Sequence, residues 1–334
     1  MVYKYIWAMF SNIQIVTNHF VSPHTFSQFI KEADRYYSQN ENTFHNFKHG
    51  CMVLNVAYSL FKSSDLDQYF TQTGKTAFMF AALMHDVDHT GRNNLYEIKS
   101  YSKLAVRYND DSVLENHHTA RAFLILSVKQ FNIFEKMHHN DYVLFRQYVI
   151  HAILSTDIKK HFTDLNKFKN RLDCGDFSPY EEQDDITDFL LMLGILIHSC
   201  DLYTPTLEWD ASLRWSMRLN AEFRTQNRCE ELQKIPLTPF YVGLNDPVKV
   251  ANSEIGFINA IVWPLWSEVD RFMQGPLKSR LENIDKNLEE WKKIKEGKMK
   301  LKYLVSDQAI QKTCEDKLNM NSLTEGDPLD FKID

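Results

Sequence analysis

Glycine and proline are scarce in this 334-residue chain, at 10 and 9. That shortage disfavours an all-β fold, which needs many tight turns. No run of about 18 apolar residues exists to span a membrane. The start, Met1-Val2-Tyr3-Lys4-Tyr5-Ile6-Trp7, lacks the apolar stretch of a signal peptide. There is no basic excess either. A net charge of −6 offers nothing to neutralise a phosphate backbone, so no nucleic-acid partner is expected. The five cysteines (Cys51, Cys174, Cys200, Cys229, Cys314) are scattered, odd in number and form no CxxC pair. A disulfide framework or a cysteine-held zinc is therefore not expected, and a reducing, intracellular compartment fits better.

What the chain does have is apolar residues in helical rhythm. Hydrophobic residues make up 44%, ample for a core. Apolar groups recur at i, i+3, i+4 and i+7 over residues 50–62, 76–85, 117–131 and 142–155. Residues 185–200 are almost wholly apolar in the middle, the mark of a central, buried helix. Two more helices are expected over 253–274 and 276–297, broken at Gly275-Pro276. The second is charged, with a solvated face and an apolar side formed by Leu281, Ile284, Leu288 and Trp291; a coiled partner helix is the alternative use of that side. Residues 234–252, with Pro236, Pro239, Gly243 and Pro247, read as a long loop. The expected organisation is one all-α domain over residues 1–303, followed by a polar, poorly ordered tail over 304–334.

Chemistry concentrates in two short runs, Phe44-His45-Asn46-Phe47-Lys48-His49 and His85-Asp86-Val87-Asp88-His89. On a helix, the four-residue step from His45 to His49 puts both on one face. Imidazole and carboxylate together suit zinc, manganese or iron, and carboxylate with water also suits magnesium. Further pieces are Glu115-Asn116-His117-His118 and His198-Ser199-Cys200-Asp201. A lone histidine at helical spacing is more often a hydrogen-bonded core residue than a ligand. Burying this many ionisable groups without a metal, however, would be costly.

These motifs, with Tyr108-Asn109-Asp110, Asp201-Leu202, Pro205-Thr206, Ile255-Gly256-Phe257-Ile258 and Pro264-Leu265-Trp266, resemble the catalytic domain of class I 3′,5′-cyclic-nucleotide phosphodiesterases. The resemblance covers roughly residues 15–275 in order. It implies a multi-helix, HD-like domain with a deep pocket for two divalent metals, zinc and magnesium, with manganese as an alternative. By motif, His49, His85, Asp86 and Asp201 would bind the first metal. Asp86 would bridge to the second, around which His89, Glu115, His118 and Thr156 would act largely through water. His45 would be the general acid and Glu222 the acid that orients it. The implied reaction is hydrolysis of the 3′ phosphoester by a hydroxide bridging the metals. Phe257 and Leu219 would clamp the purine, with Glu254, Asn94, Tyr108 and Thr204 as further substrate contacts.

The chain departs from that pattern at Glu254, where the family nearly always has glutamine. A carboxylate only accepts hydrogen bonds. It can take both N1–H and the N2 amino group of guanine, so cyclic GMP is expected to be preferred to cyclic AMP. The competing readings are a protonated Glu254, which donates once and accepts once as glutamine does, and a weakened or shifted purine pose. Thr204, where many cyclic-AMP-selective members have asparagine, leans the same way. Ser212, Phe44 and Met52 also differ from common family residues. The stretch before His45 is short for the family, so the amino-terminal helices are expected to be reduced. Two alternatives stay open: an HD-domain phosphohydrolase, and a pseudoenzyme that binds a cyclic nucleotide without cleaving it. The expected partner is the cyclic nucleotide. A homodimer is compatible with the sequence, and no membrane contact of its own is expected. The expected location is the cytoplasm, or the cytosolic face of a membrane if the parent protein is longer.

Overall fold

The protein is described by a computed structural model that covers residues 2–183 and 185–323, with side chains to residue 318. Among the described residues there are helices and no strands. Helix α1 (Val2–Asn12), α2 (Ile15–Asn18) and α3 (Pro23–Ser38) precede the first histidine run. Helix α3 starts as its sequence dictates: Ser22 accepts from the Thr25 backbone N–H, and Pro23 fills the first helical position.

The centre is built from α4 (Phe47–Ser63), α5 (Gln72–Met84), the short pair α6 (Asn94–Lys99) and α7 (Lys103–Tyr108), α8 (Val113–Ser127), α9 (His139–Leu154), α10 (His161–Cys174) and α11 (Thr187–Asp201). Helix α5 is buried on every side from Thr76 to Met84 and packs against α4, α8, α9 and α11. Each large apolar side chain enclosed there, such as Phe78, Phe80 and Leu83, contributes about 2 kcal/mol by leaving water. Helix α11 is equally enclosed from Met192 to Cys200, as its unbroken apolar run predicts. The metal-ligand candidates His85 and Asp86 follow the last residue of α5, and Asp201 ends α11. The hardest part of the core thus delivers them.

The second layer comprises α12 (Trp209–Gln233), α13 (Pro247–Phe257), a π turn over Ile258–Val262, α14 (Trp263–Phe272), α15 (Lys278–Lys295) and α16 (Asp307–Leu323). The expected helix over 253–274 is therefore two helices joined by a π turn. Pro264 has no N–H to return to residue 260, which leaves the ladder irregular at that point. The expected break at Gly275-Pro276 is present, with Gly275 at φ +92° between α14 and α15. Helix α15 packs through Ile284 and Trp291 as expected. It also braces the turn after Asp201, because Asn287 Nδ2 donates to the carbonyls of Pro205 and Leu207, both at 2.8 Å.

Three expectations are corrected. The loop over 234–252 ends early, because Asp246 caps α13 by accepting from Val248 N at 2.9 Å and Pro247 is its first residue. The polar tail is not structureless over Asp307–Leu323: it forms α16 along α12, held by polar ties that hydropathy does not register. Residues 324–334 lie outside the described residues. Finally, Cys229 and Cys314 are joined in a disulfide across 85 residues, while Cys51, Cys174 and Cys200 are free.

Candidate active site

The first histidine run does not present one helical face. Asn46 caps α4, its side chain accepting from Lys48 N at 3.0 Å. His49 therefore lies in the first turn, while His45 stands outside the helix. The cap separates the two imidazoles by position and by surroundings. The second run likewise leaves the helix at His85, and Asp88 takes a left-handed conformation at φ 66°.

His49, His85, Asp86 and Asp201 converge. His49 Nε2 lies 3.1 Å from His85 Nε2, 3.0 Å from Asp201 Oδ1 and 3.1 Å from Asp86 Oδ2. His85 Nε2 lies 3.1 Å from Asp86 Oδ2 and 3.2 Å from Asp201 Oδ1. His85 Nδ1 faces the Ala82 carbonyl at 3.1 Å and must donate to it, so in the neutral ring Nε2 turns a lone pair inward. Burial would lower the His85 pKa, but Asp86 and Asp201 outweigh it and raise it well above the ordinary value. Two carboxylates and two imidazoles enclosed together carry an excess of negative charge. This donor set fits a divalent cation.

Asp86 also faces a second group. Its Oδ1 lies 3.6 Å from His118 Nε2, and Asp86, His89 and His118 form a second buried cluster. His118 Nδ1 donates to Val87 O at 2.8 Å, leaving Nε2 as an acceptor, and burial pushes its pKa down to about 4. His89 Nδ1 accepts from Gly91 N at 2.9 Å, so in the neutral ring Nε2 carries the proton. That proton suits His89 to hold a water rather than a cation directly. Burial and then the His45 charge hold the His89 pKa well below the usual range. Burial, with Asp157 and Asp86, raises the Glu115 pKa to about 7. Thr156, half-buried, donates to Ile153 O at 2.8 Å and keeps its oxygen lone pairs.

His45 is held by Glu222 of α12. His45 Nδ1 lies 2.7 Å from Glu222 Oε2, and the backbone N–H groups of Phe44 and His45 donate to Oε1 at 2.5 and 2.9 Å. Burial would lower the His45 pKa, yet the Glu222 carboxylate, with Asp86 and Asp201, raises it. Burial works against the Glu222 anion, but His45 lowers its pKa overall.

The expected purine contacts divide. Glu254 and Phe257 are one turn apart on α13, and Glu254 hydrogen-bonds Ser216, one turn before Leu219 on α12. Burial raises the Glu254 pKa to about 7 against that bond. Thr204 opens the turn just after Asp201, and Tyr108 ends α7. Asn94 is used differently: Nδ2 donates to both Glu115 oxygens at 3.0 and 3.2 Å, and Oδ1 accepts from Leu114 N at 2.9 Å. Its amide is a holder of Glu115.

Sequence reasoning missed several supports. Tyr37 Oη donates to Leu83 O at 2.9 Å and accepts from Asp86 N at 3.2 Å, fixing the ligand turn. Gly50 makes room for it, since a Cβ there would lie 2.9 Å from Tyr37 Oη. Asn42 Nδ2 donates to the carbonyls of His45 at 3.0 Å and His89 at 2.6 Å. Asp88 accepts from His117 Nε2 at 2.9 Å, Arg121 Nε at 2.8 Å and Gln39. It is thereby committed to a buried charge cluster.

The family model described as 3′5′-cyclic nucleotide phosphodiesterase matches residues 44–284. The chain is 31% identical over 296 residues to the 3′,5′-cyclic-nucleotide phosphodiesterase regA of Dictyostelium discoideum, covering 87% of this chain and 36% of that protein. It is 33% identical over 263 residues to the human high affinity cGMP-specific 3′,5′-cyclic phosphodiesterase 9A, covering 79% of this chain and 43% of the other. A Drosophila melanogaster 3′,5′-cyclic-AMP phosphodiesterase, isoform F, is 32% identical over 283 residues, 84% of this chain and 42% of that one. The chain thus spans less than two thirds of the length of these relatives. The crystal structure of the phosphodiesterase domain of the RhoPDE fusion protein from the choanoflagellate Salpingoeca rosetta superposes with a TM-score of 0.84 at 34% identity, covering 89% of this chain and 92% of that one. With the family's model spanning most of the chain and its fold and donor clusters in place, the chain belongs to the 3′,5′-cyclic nucleotide phosphodiesterase family.

Proposed function

We propose that the chain hydrolyses the 3′ phosphoester of a 3′,5′-cyclic nucleotide to the nucleoside 5′-monophosphate, with His45 as general acid and cyclic GMP preferred. The observation that carries the reading is the His45–Glu222 pair at 2.7 Å, set beside two buried clusters of metal-ligand atoms. His49, His85, Asp86 and Asp201 would hold one cation; Asp86, with His89, Glu115, His118 and Thr156 around it, would serve a second. Divalent cations, when bound, supply charge against the phosphodiester and make water acidic enough to attack at neutral pH. Zinc and magnesium suit the two donor sets. The leaving 3′ oxygen is strongly basic and needs a proton. His45 is poised to give it from Nε2, because Nδ1 faces Glu222 and the raised pKa favours the charged ring.

Base choice would fall to Glu254, which hydrogen-bonds Ser216 of α12 and lies one turn from Phe257 on α13. The ionised carboxylate accepts both donors of guanine, whereas adenine would set its N1 lone pair against a negative oxygen. A pKa of about 7 gives substance to a second reading. The protonated acid donates once and accepts once, and would admit cyclic AMP. Relatives named for each nucleotide exist. The reading puts the chain in the cytoplasm or on the cytosolic face of a membrane. The test is a side-by-side hydrolysis assay of the two nucleotides with zinc and magnesium. Cleavage of neither nucleotide would overturn the activity, and faster cleavage of cyclic AMP would overturn the preference.

A further inference from the structure

Helix α16 is tied to the catalytic loops at two levels. Along α12 it is held by polar contacts: Arg224 donates to Val305 O at 2.6 Å and pairs with Asp307 at 2.5 Å, and Arg228 donates to Gln311. One turn further on, Cys314 is joined to Cys229 of α12, with both residues fully buried beside Tyr96, Ile235 and Leu318. Three residues beyond Cys314, Lys317 reaches the site. Its Nζ donates to Asn42 Oδ1 at 2.6 Å and approaches Thr90 O at 3.5 Å. Asn42 is the residue whose Nδ2 holds the carbonyls of His45 and His89. Gly91, at φ +74°, passes beneath this contact, and a Cβ there would overlap both Asn42 Oδ1 and Lys317 Nζ. A continuous link therefore runs from the disulfide, through one helical turn and one ammonium, to the backbone of His45 and of His89, whose ring is stacked on that of His45.

We propose that Lys317 is a positioning residue for the hydrolysis and that the Cys229–Cys314 disulfide fastens it, so that reducing this bond slows turnover without altering substrate binding. The inference rests on the reading of His45 as proton donor given above. The chemistry is thiol–disulfide exchange with a dithiol. One reductant thiolate attacks a protein sulfur, the S–S bond breaks and a mixed disulfide forms. The second reductant thiolate then displaces the protein sulfur. Two electrons pass from the dithiol, which ends as a cyclic disulfide, to the protein, which ends with two thiols. Both protein sulfurs are fully buried, so α16 must lift before attack, and the exchange is gated by local opening.

The experiment uses the full chain loaded with zinc and magnesium, before and after dithiothreitol. The expected thiol count rises from three to five, since three of the five cysteines are free in the structure. With that rise, kcat should fall roughly 10-fold while KM holds, because the proton donor and not the purine groove loses its support. K317M should show the low kcat in either redox state, with its metal content and thermal unfolding retained, and K317R should recover it. The double variant C229S/C314S should be slow and indifferent to dithiothreitol. Five thiols before reduction, or a kcat unmoved by both reduction and K317M, overturns the proposal. H45A separates the two levels. If H45A turns over normally, the proton-donor reading itself has failed. If H45A is inactive while K317M is normal, only the role of Lys317 has failed.

Discussion

The imidazole rings of His45 and His89 are stacked, their centroids 4.0 Å apart and their planes 13° from parallel, yet they are driven in opposite directions. Glu222, supported by Asp86 and Asp201, overcomes burial and raises the pKa of His45, while burial and the neighbouring His45 charge depress that of His89. A ring that holds its proton more firmly beside one that holds it less firmly suits the first to giving a proton and the second to holding water, as the proposed function requires. H45A should therefore cut turnover by ~10² or more while metal content stays nearly intact. Metal analysis alongside kcat checks it: loss of metal would make His45 a ligand instead.

The His45–Glu222 pair also fixes a pH window. His45 is raised above its ordinary 6.5, so its contribution to stability is fully present below 6.5 and is lost as pH rises through the folded value. Glu222 is lowered below its ordinary 4.5, so its contribution is present above 4.5 and is lost as pH falls through the folded value. The alkaline limb of the kcat profile should then lie above pH 6.5, and E222Q should move it to lower pH. An alkaline limb unchanged in E222Q would remove Glu222 from the control of His45.

Glu254 should make nucleotide choice depend on pH. With a pKa of about 7, raising the pH through neutrality ionises it and should increase the kcat/KM ratio of cyclic GMP to cyclic AMP. The change should approach 10-fold, the worth of about one hydrogen bond. E254Q should flatten that dependence. A ratio that falls with rising pH would contradict the ionised carboxylate as guanine's acceptor.

Removing the cations should cost both activity and stability. Stripping by a chelator leaves Asp86 and Asp201 with only the neighbouring imidazoles to offset their charge. Hydrolysis should stop and the thermal transition should fall, and both should return when zinc and magnesium are restored. D201A should bind the first cation more weakly, as equilibrium dialysis would show.

A structural cost is predicted at Asp88. It is 4% exposed and neutralises Arg121, itself 3% exposed. D88A leaves that guanidinium buried without its anion and should cost ~3–5 kcal/mol in urea unfolding.

Helices that are apolar all round, α5 and α11, are legible because nothing but a core position tolerates them. The donor sets are legible because histidine and aspartate rarely gather otherwise. The errors have definite causes. Pro247 reads as a loop breaker but is the first residue of a helix capped by Asp246. Helix α16 is polar and held by Arg224, Arg228 and a disulfide, none of which leaves an apolar period. His45 and His49 look like one face until Asn46 is recognised as the cap between them. Asn42 and Lys317 act as single polar residues at 275 residues' separation, and no local pattern announces such a pair.

Helix α12 runs for 25 residues and carries Ser216, Leu219, Glu222 and Cys229 at steps of three or more residues. At 1.5 Å per residue, Ser216 and Cys229 are about 20 Å apart on one rod. On the proposed function, base recognition, proton supply and the carboxy-terminal clasp are thus carried by one helix, so that a shift of that rod would be felt at all three. Glu254 stands on the opposing α13, outside that rod. A lineage needing a different base could exchange that one side chain and inherit the rest of the catalytic alignment unchanged.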